Sequence, residues 1–334
     1  MLAAFVTALS LAGAGWLYPV WRVSSAGEQR SSVAQASLAA DVFIPLPQAL
    51  ALDGRKVKLG ERLFRDRRLS SDGSVSCSSC HDLDIGGVDR LPRSRGIGGR
   101  EGGINAPTVF NSGFNFRQFW NGRAATLEDQ IDGPLQNPIE MGNTWPQALA
   151  TIAADAQYRG AFNAIYPDGI QSNNVKDAIA TFERSLITPN SRFDRFLRGD
   201  QNAMSPRELA GYALFRRIGC TSCHQGINIG GNMYQKLGIM EDYFAVRGNL
   251  TEADLGRFII TQREEDRYYF KVPSLRNVAM TPPYLHDSSA ETLEDVVQVM
   301  ARFQLGRKLE ARDVNSIVAF LRTLTGEYSG KPLQ

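Results

Sequence analysis

Apolar residues recur along most of this chain at the three-to-four spacing of helices that bury one face, and period-two alternation is scarce. Ser205-Pro206-Arg207-Glu208 combines a serine N-cap, a proline at the first helical position and a glutamate three residues after the cap. It therefore opens a helix running toward Cys220. Thr292-Leu293-Glu294-Asp295 opens another, with Leu293, Val296, Val297, Met300 and Phe303 on one stripe. A different pattern stands at the N-terminus. "MLAAFVTALSLAGAGWLYPVW" is an apolar run of roughly 20 residues, about what a bilayer crossing takes. Ser24 and Ala26 suit a signal-peptidase site, whereas the missing positive n-region suits a retained anchor. On either reading residues 1–26 direct export to the periplasm, and the polar, small-residue-rich stretch 27–44 is a disordered linker.

The remaining pattern comes round twice. "LGERLFRD" (59–66) answers to "AGYALFRR" (210–217), and "DAIATFERSLIT" (177–188) to "NSIVAFLRTLTG" (315–326). "NAPTVFNSGFNFRQFWNGRAATLEDQ" (105–130) answers to "KVPSLRNVAMTPPYLHDSSAETLEDVV" (271–297), with Pro107 to Thr126 spaced as Pro273 to Thr292. The expected fold is mainly α: an N-terminal domain over 45–195 and a C-terminal one over 196–334, related by internal duplication, with the junction in 189–206.

Composition narrows the chemistry. The 334 residues are 43% hydrophobic and 22% charged with a formal net charge of +2, which is enough chain for two cores, with no basic block for nucleic acid. The four cysteines and three histidines are concentrated instead. Cys77 and Cys80 are followed by His81, Cys220 and Cys223 are followed by His224, and only His286 stands apart. Four thiolates could hold zinc, but the pairs lie far apart and the adjoining histidines would go unexplained. A redox dithiol needs no such histidine and favours a βαβ context, which is absent. Covalent c-type haem uses all three residues: the thiols add to the two vinyl groups and the histidine reaches the iron. Each iron then has one histidine below it. With only His286 left over, both haems cannot be bis-histidine.

"CSSCHDLDIGGVDRLPRSRGIGG", "QFWNGRAATLEDQIDGPLQNPIEMGN", "GCTSCHQG", "VPSLRNVAMTPPYLHD" and "VMARFQLG" together resemble the bacterial di-haem cytochrome c peroxidase family, which also contains the MauG oxidases. The likeness runs from about Pro45 to Gly326. It implies two cytochrome c-like haem domains. The peroxidatic haem is held by Cys77 and Cys80 with His81 on the iron, and the electron-donating haem by Cys220 and Cys223 with His224 and Met300. Read by periodicity alone, Met300 is equally a core residue, and Met280 is the nearest rival ligand. The family's acid/base pair falls on Glu140 and Gln130, and the tryptophan between its haems on Trp120. Within the duplication Trp120 aligns with His286, for which a hydrogen-bonded structural role is the default. The family's calcium ligands fall on Asn105 and the carbonyls of Thr281 and Pro283, an all-oxygen set without a carboxylate, so the site would be weak. The resemblance implies reduction of hydrogen peroxide with electrons from a small cytochrome c or cupredoxin, and members often form homodimers. Two other readings stay open. A MauG-like enzyme would use peroxide to oxidise amino-acid side chains of a partner protein, which Met300 opposes because MauG proteins have tyrosine there. A non-catalytic di-haem cytochrome would need both irons six-coordinate.

One departure from the family stands out. Many members carry a histidine on a mobile loop that caps the oxidised peroxidatic haem, and this chain has Ile97 there, in "RSRGIGGREGG". Isoleucine cannot coordinate iron, and Glu101 is the one nearby side chain that could, weakly. Gly96, Gly98, Gly99, Gly102 and Gly103 are expected to leave the loop flexible. The peroxidatic haem is accordingly expected to stay open without reductive activation.

Overall fold

A computed structural model describes residues 42–333; the expected export segment, 1–26, and nearly all of the expected linker lie outside the described residues. Helix α1 (Gly54–Phe64) starts at Asp53, whose carboxylate accepts the Arg55 N–H at 2.9 Å, and buries Leu59, Leu63 and Phe64. After the first cysteine motif come α2 (Leu127–Gln136), capped by Thr126, and α3 (Ser172–Ser185). The second half repeats the series. Helix α4 (Pro206–Ile218) carries the capping box read from the sequence, and α5 (Leu293–Val299) is capped by Thr292. Helix α6 (Ala311–Arg322) closes it. Strand β1 (Tyr234–Lys236) pairs antiparallel with β2 (Tyr269–Lys271), placing Tyr234 opposite Lys271, and a second two-stranded ribbon lies near the C-terminus.

Two helix crossings organise the packing, and both depend on a glycine. A Cβ on Gly60 of α1 would run into the Ala178 carbonyl oxygen of α3, and one on Gly211 of α4 into the Ser316 carbonyl oxygen of α6. The backbones approach to where no side chain fits, so apolar residues on either side interdigitate. In the first half these include Leu63, Phe64, Ala178 and Phe182; in the second, Tyr212 and Phe320 pack ring on ring, with Phe193 of the junction against both. Each such side chain contributes about 1.5–3 kcal/mol on burial.

The residues between the halves are packed rather than loose. Within 189–206, residues Arg192–Leu197 form a short helix with Phe193 and Asp194 fully buried. The first and last described segments make long-range contacts. Phe43 stacks edge-on against Phe193, and the Leu46 N–H donates to Asp194 Oδ1, both in or beyond the junction. At the other end, Tyr328 packs against Phe110, and Leu333 against the first-half core. Residues 42–333 thereby form one compact unit.

Candidate functional site

Each cysteine motif is a single helical turn. The His81 N–H donates to the Cys77 carbonyl at 3.0 Å, and the His224 N–H to the Cys220 carbonyl at 3.0 Å, which gathers two thiols and an imidazole around one point. His81 Nδ1 lies 3.3 Å from the Gly87 carbonyl and His224 Nδ1 lies 3.2 Å from the Ile229 carbonyl. A carbonyl only accepts, so Nδ1 carries the proton on both rings and Nε2 keeps a free lone pair. Burial keeps both imidazoles neutral, pushing His224 down to about 4. Burial also pushes the thiols up, Cys77 and Cys220 to about 12 and Cys80 to about 11. A redox dithiol relies on an easily formed thiolate, which burial opposes at Cys77, Cys80 and Cys220. They fit thioether attachment, where no thiolate has to persist.

The second motif opens on a cavity of about 620 Å³, lined largely by apolar side chains from α4, α5 and α6. That volume and character match a cofactor pocket. Cys220, Cys223 and His224 are on its wall, and so is Met300. Met280, the rival, is not on that wall; its backbone and Cβ press on Gly86 beside the first motif. At Met300 the helix widens into a π-turn, Met300–Gln304, a deformation common at functional sites. Gln304 ties this turn to β1 by donating to the Lys236 carbonyl at 2.9 Å.

Around the first motif the polar groups differ. Gln130 lies on α2 and is half-buried; Glu140 follows in the turn after that helix. Glu140 Oε1 accepts from Asn137 Nδ2 at 2.6 Å. Burial raises its pKa, an effect the Asn137 hydrogen bond and the Arg123 charge only partly offset, and its charge is felt at Cys80. A carboxyl raised toward neutrality suits proton exchange in both directions. Asn137 and Arg123 were not legible as partners of Glu140, although the Asn-x-x-Glu spacing is a turn signature. Glu183, pushed up to about 8 by burial, also lies within charge range of Cys77 and was missed.

The glycine-rich loop is tied down by backbone hydrogen bonds. The Ile97 N–H donates to the Glu140 carbonyl at 2.8 Å, Gly96 N–H to the Arg100 carbonyl, and Arg100 to the Pro138 carbonyl. Ile97's side chain packs on Gly142, while Glu101 is exposed. The glycines serve the turn itself: Gly98 and Gly99 take positive φ of 60° and 69°.

Trp120 and His286 stand together on the wall of the cavity that carries the second motif, ring centroids 6.2 Å apart. Trp120 Nε1 donates to the Asn105 carbonyl at 2.9 Å, and the Asn105 N–H donates to the His286 carbonyl at 2.9 Å. His286 Nε2 donates to the fully buried Asp254 at 2.7 Å. Burial pushes Asp254 up, but Arg247, Thr251 and His286 outweigh it and hold the carboxyl well below its usual range. The Asn105 carboxamide donates to the Pro283 carbonyl at 3.1 Å and to Ser288, and Thr281 and Pro283 border the same cavity.

Residues 54–202 match the family model for di-haem cytochrome c peroxidase. The chain is 49% identical over 286 residues to the cytochrome c peroxidase of Escherichia coli, which covers 85% of this chain and 61% of that protein. It therefore spans less than two thirds of that relative. It is 46% identical to the cytochrome c551 peroxidase of Nitrosomonas europaea over 81% of this chain and 80% of that one. Among solved structures, a MauG-like protein associated with microbial copper homeostasis superposes with a TM-score of 0.76 at 30% identity, over 84% of this chain and 95% of the other.

Proposed function

Because the chain belongs to the di-haem cytochrome c peroxidase family, we propose that it reduces hydrogen peroxide to water with electrons from a small cytochrome c or cupredoxin. The observation carrying this reading is the Glu140 carboxyl, half-buried, raised in pKa and within charge range of the first motif. Cys77 and Cys80 would hold one haem with His81 on its iron, and Cys220 and Cys223 the other, with His224 and Met300. Bound there, the haems supply the redox chemistry and an iron that accepts peroxide oxygen. Glu140 would take a proton from one oxygen of peroxide and return it to the other, so that the leaving group is water rather than hydroxide. Gln130 orients the peroxide by hydrogen bonding without adding charge. Trp120, fixed by Asn105, fills the space between the two sites.

Several finer readings follow from the same family. The paired glycine crossings and paired histidine–carbonyl bonds support an internal duplication, with domains over 45–195 and 196–334 whose terminal segments are exchanged. Export to the periplasm suits covalent haem attachment. A half-turn of the Asn105 carboxamide would bring its oxygen to the Pro283 carbonyl, the kind of donor set a calcium ion takes.

Ile97 makes the peroxidatic haem open from the start, because no histidine remains to cap it. The test is peroxide-driven oxidation of a ferrous small cytochrome c by the fully oxidised protein. Turnover without a lag is expected, and an Ile97→His variant should acquire one. A lag in the parent protein would overturn the open-site reading. No donor oxidation, with peroxide instead consumed in modifying a protein side chain, would favour the MauG-like alternative, toward which the structural neighbour points.

A further inference from the structure

Lys271 ends strand β2, and its backbone N–H donates to the Trp120 carbonyl at 2.8 Å. Its side chain is only 7% exposed. Among the described residues its ammonium makes no ion pair and no hydrogen bond. Burial alone, with no acidic neighbour to oppose it, pushes the ammonium down to about 8. A buried and a half-buried arginine are treated differently. Arg276, 1% exposed, pairs with Asp194 at 2.7 Å, and Arg247 bridges Asp254 and Asp287. Burying an ammonium without a counter-ion costs several kcal/mol, so Lys271 is an unbalanced charge in the protein as it stands.

What it borders supplies the balance. Lys271 lines the cavity that carries Cys223, His224 and Met300. No aspartate or glutamate lines that cavity, whereas two cations do, and one of these, Arg276, is already paired. A space walled by apolar side chains with one unmatched cation is built for an apolar molecule bearing a carboxylate. Haem attached through its vinyl groups keeps two propionate carboxylates, and its macrocycle is apolar. Asn105, which aligns with Lys271 in the other half, is neutral, and its carboxamide is already committed to Pro283 and Ser288.

We propose that Lys271 is the counter-ion of a propionate of the haem held by Cys220 and Cys223, and that its charge raises the midpoint potential of that haem above what the apolar pocket alone would set. The charge favours the ferrous state, which carries one positive charge fewer at the iron. The arrangement is one-sided, so it separates the two haems electrostatically. This rests on the haem reading of the second motif, which a count of two covalently bound haems per chain tests by itself.

The experiment is a spectroelectrochemical titration of the holoprotein and of Lys271→Met and Lys271→Arg, each checked for two attached haems. The midpoint of the His224 haem should fall in Lys271→Met and return most of the way in Lys271→Arg, with a smaller change at the His81 haem. Should Lys271→Met not fold with both haems, Lys271→Gln, neutral but polar, carries the same expectation. An unchanged midpoint with both haems present overturns the proposal, as does a shift confined to the His81 haem. A parent midpoint that differs between chloride and sulfate at equal ionic strength would show that Lys271 serves a free anion, and would overturn it too. Fewer than two haems in the parent protein would sink the underlying reading instead.

Discussion

The surroundings of His81 and of His224 begin alike and end differently. Both histidines donate Nδ1–H to a carbonyl within the following loop, both motifs are one helical turn, and both rest on a helix crossing too close for a side chain at one glycine. Beyond the imidazole the likeness stops. The His224 side opens on an apolar cavity bearing Met300 and a buried lysine. Toward the His81 side lies a hydrogen-bonded carboxyl, Glu140, with the Ile97 loop clasped to its backbone. On the proposed function, attachment and reactivity are separable: one scaffold would fix where each haem sits, and the handful of side chains that differ between the two sides would decide whether it stores an electron or handles a proton.

The sharpest way to break that comparison is to remove the proton carrier from one side alone. Glu140→Gln should lower peroxide turnover by about 10²–10⁴-fold while leaving haem content and the spectrum of the His224 haem unchanged. A similar loss from a change near Met300, with no effect at Glu140, would reverse the assignment of the two sides. The shared scaffold makes a milder demand. Gly60→Ala and Gly211→Ala should each destabilise the protein by about 1–3 kcal/mol, read from denaturant or thermal unfolding. Their near-equality, not merely their sign, is what the repeated crossing requires. Smaller still is the effect of Arg123→Ala. Burial raises Glu140 and Arg123 partly offsets that rise, so losing the guanidinium raises the carboxyl further. Turnover needs the ionised form to accept a proton, so the acid limb of kcat/KM against pH should move to higher pH. A limb moving to lower pH would mean that Arg123 does not act on Glu140.

Much of the scaffold was legible because it is local. The capping boxes at Ser205 and Thr292 and the stripe through Leu293 and Val297 belong to single helices, and the one-turn Cys-x-x-Cys-His geometry follows from its spacing. The pairing of Trp120 with His286 was legible only as an alignment between halves; its 6.2 Å contact needed the folded chain. The hydrogen bonding of the glycine-rich loop was not legible for the same reason. Glycines report what a backbone is allowed to do, while the Glu140 carbonyl that holds Ile97 in place lies more than forty residues away in sequence.

By itself, then, the sequence determined a mainly helical protein with two thiol–imidazole turns and a single spare histidine, and its resemblance to the family set an isoleucine at the position where a capping ligand is expected. Only the tertiary structure decided that Met300 and not Met280 shares the His224 cavity, that Asp254 anchors His286, that Phe43 packs on Phe193, and that Lys271 is buried without an anion. The physical reason is one of range. Helix caps and one-turn motifs are set by residues within a few positions of one another, whereas burial and the balance of charge inside a cavity are sums over segments that meet only when the chain has folded.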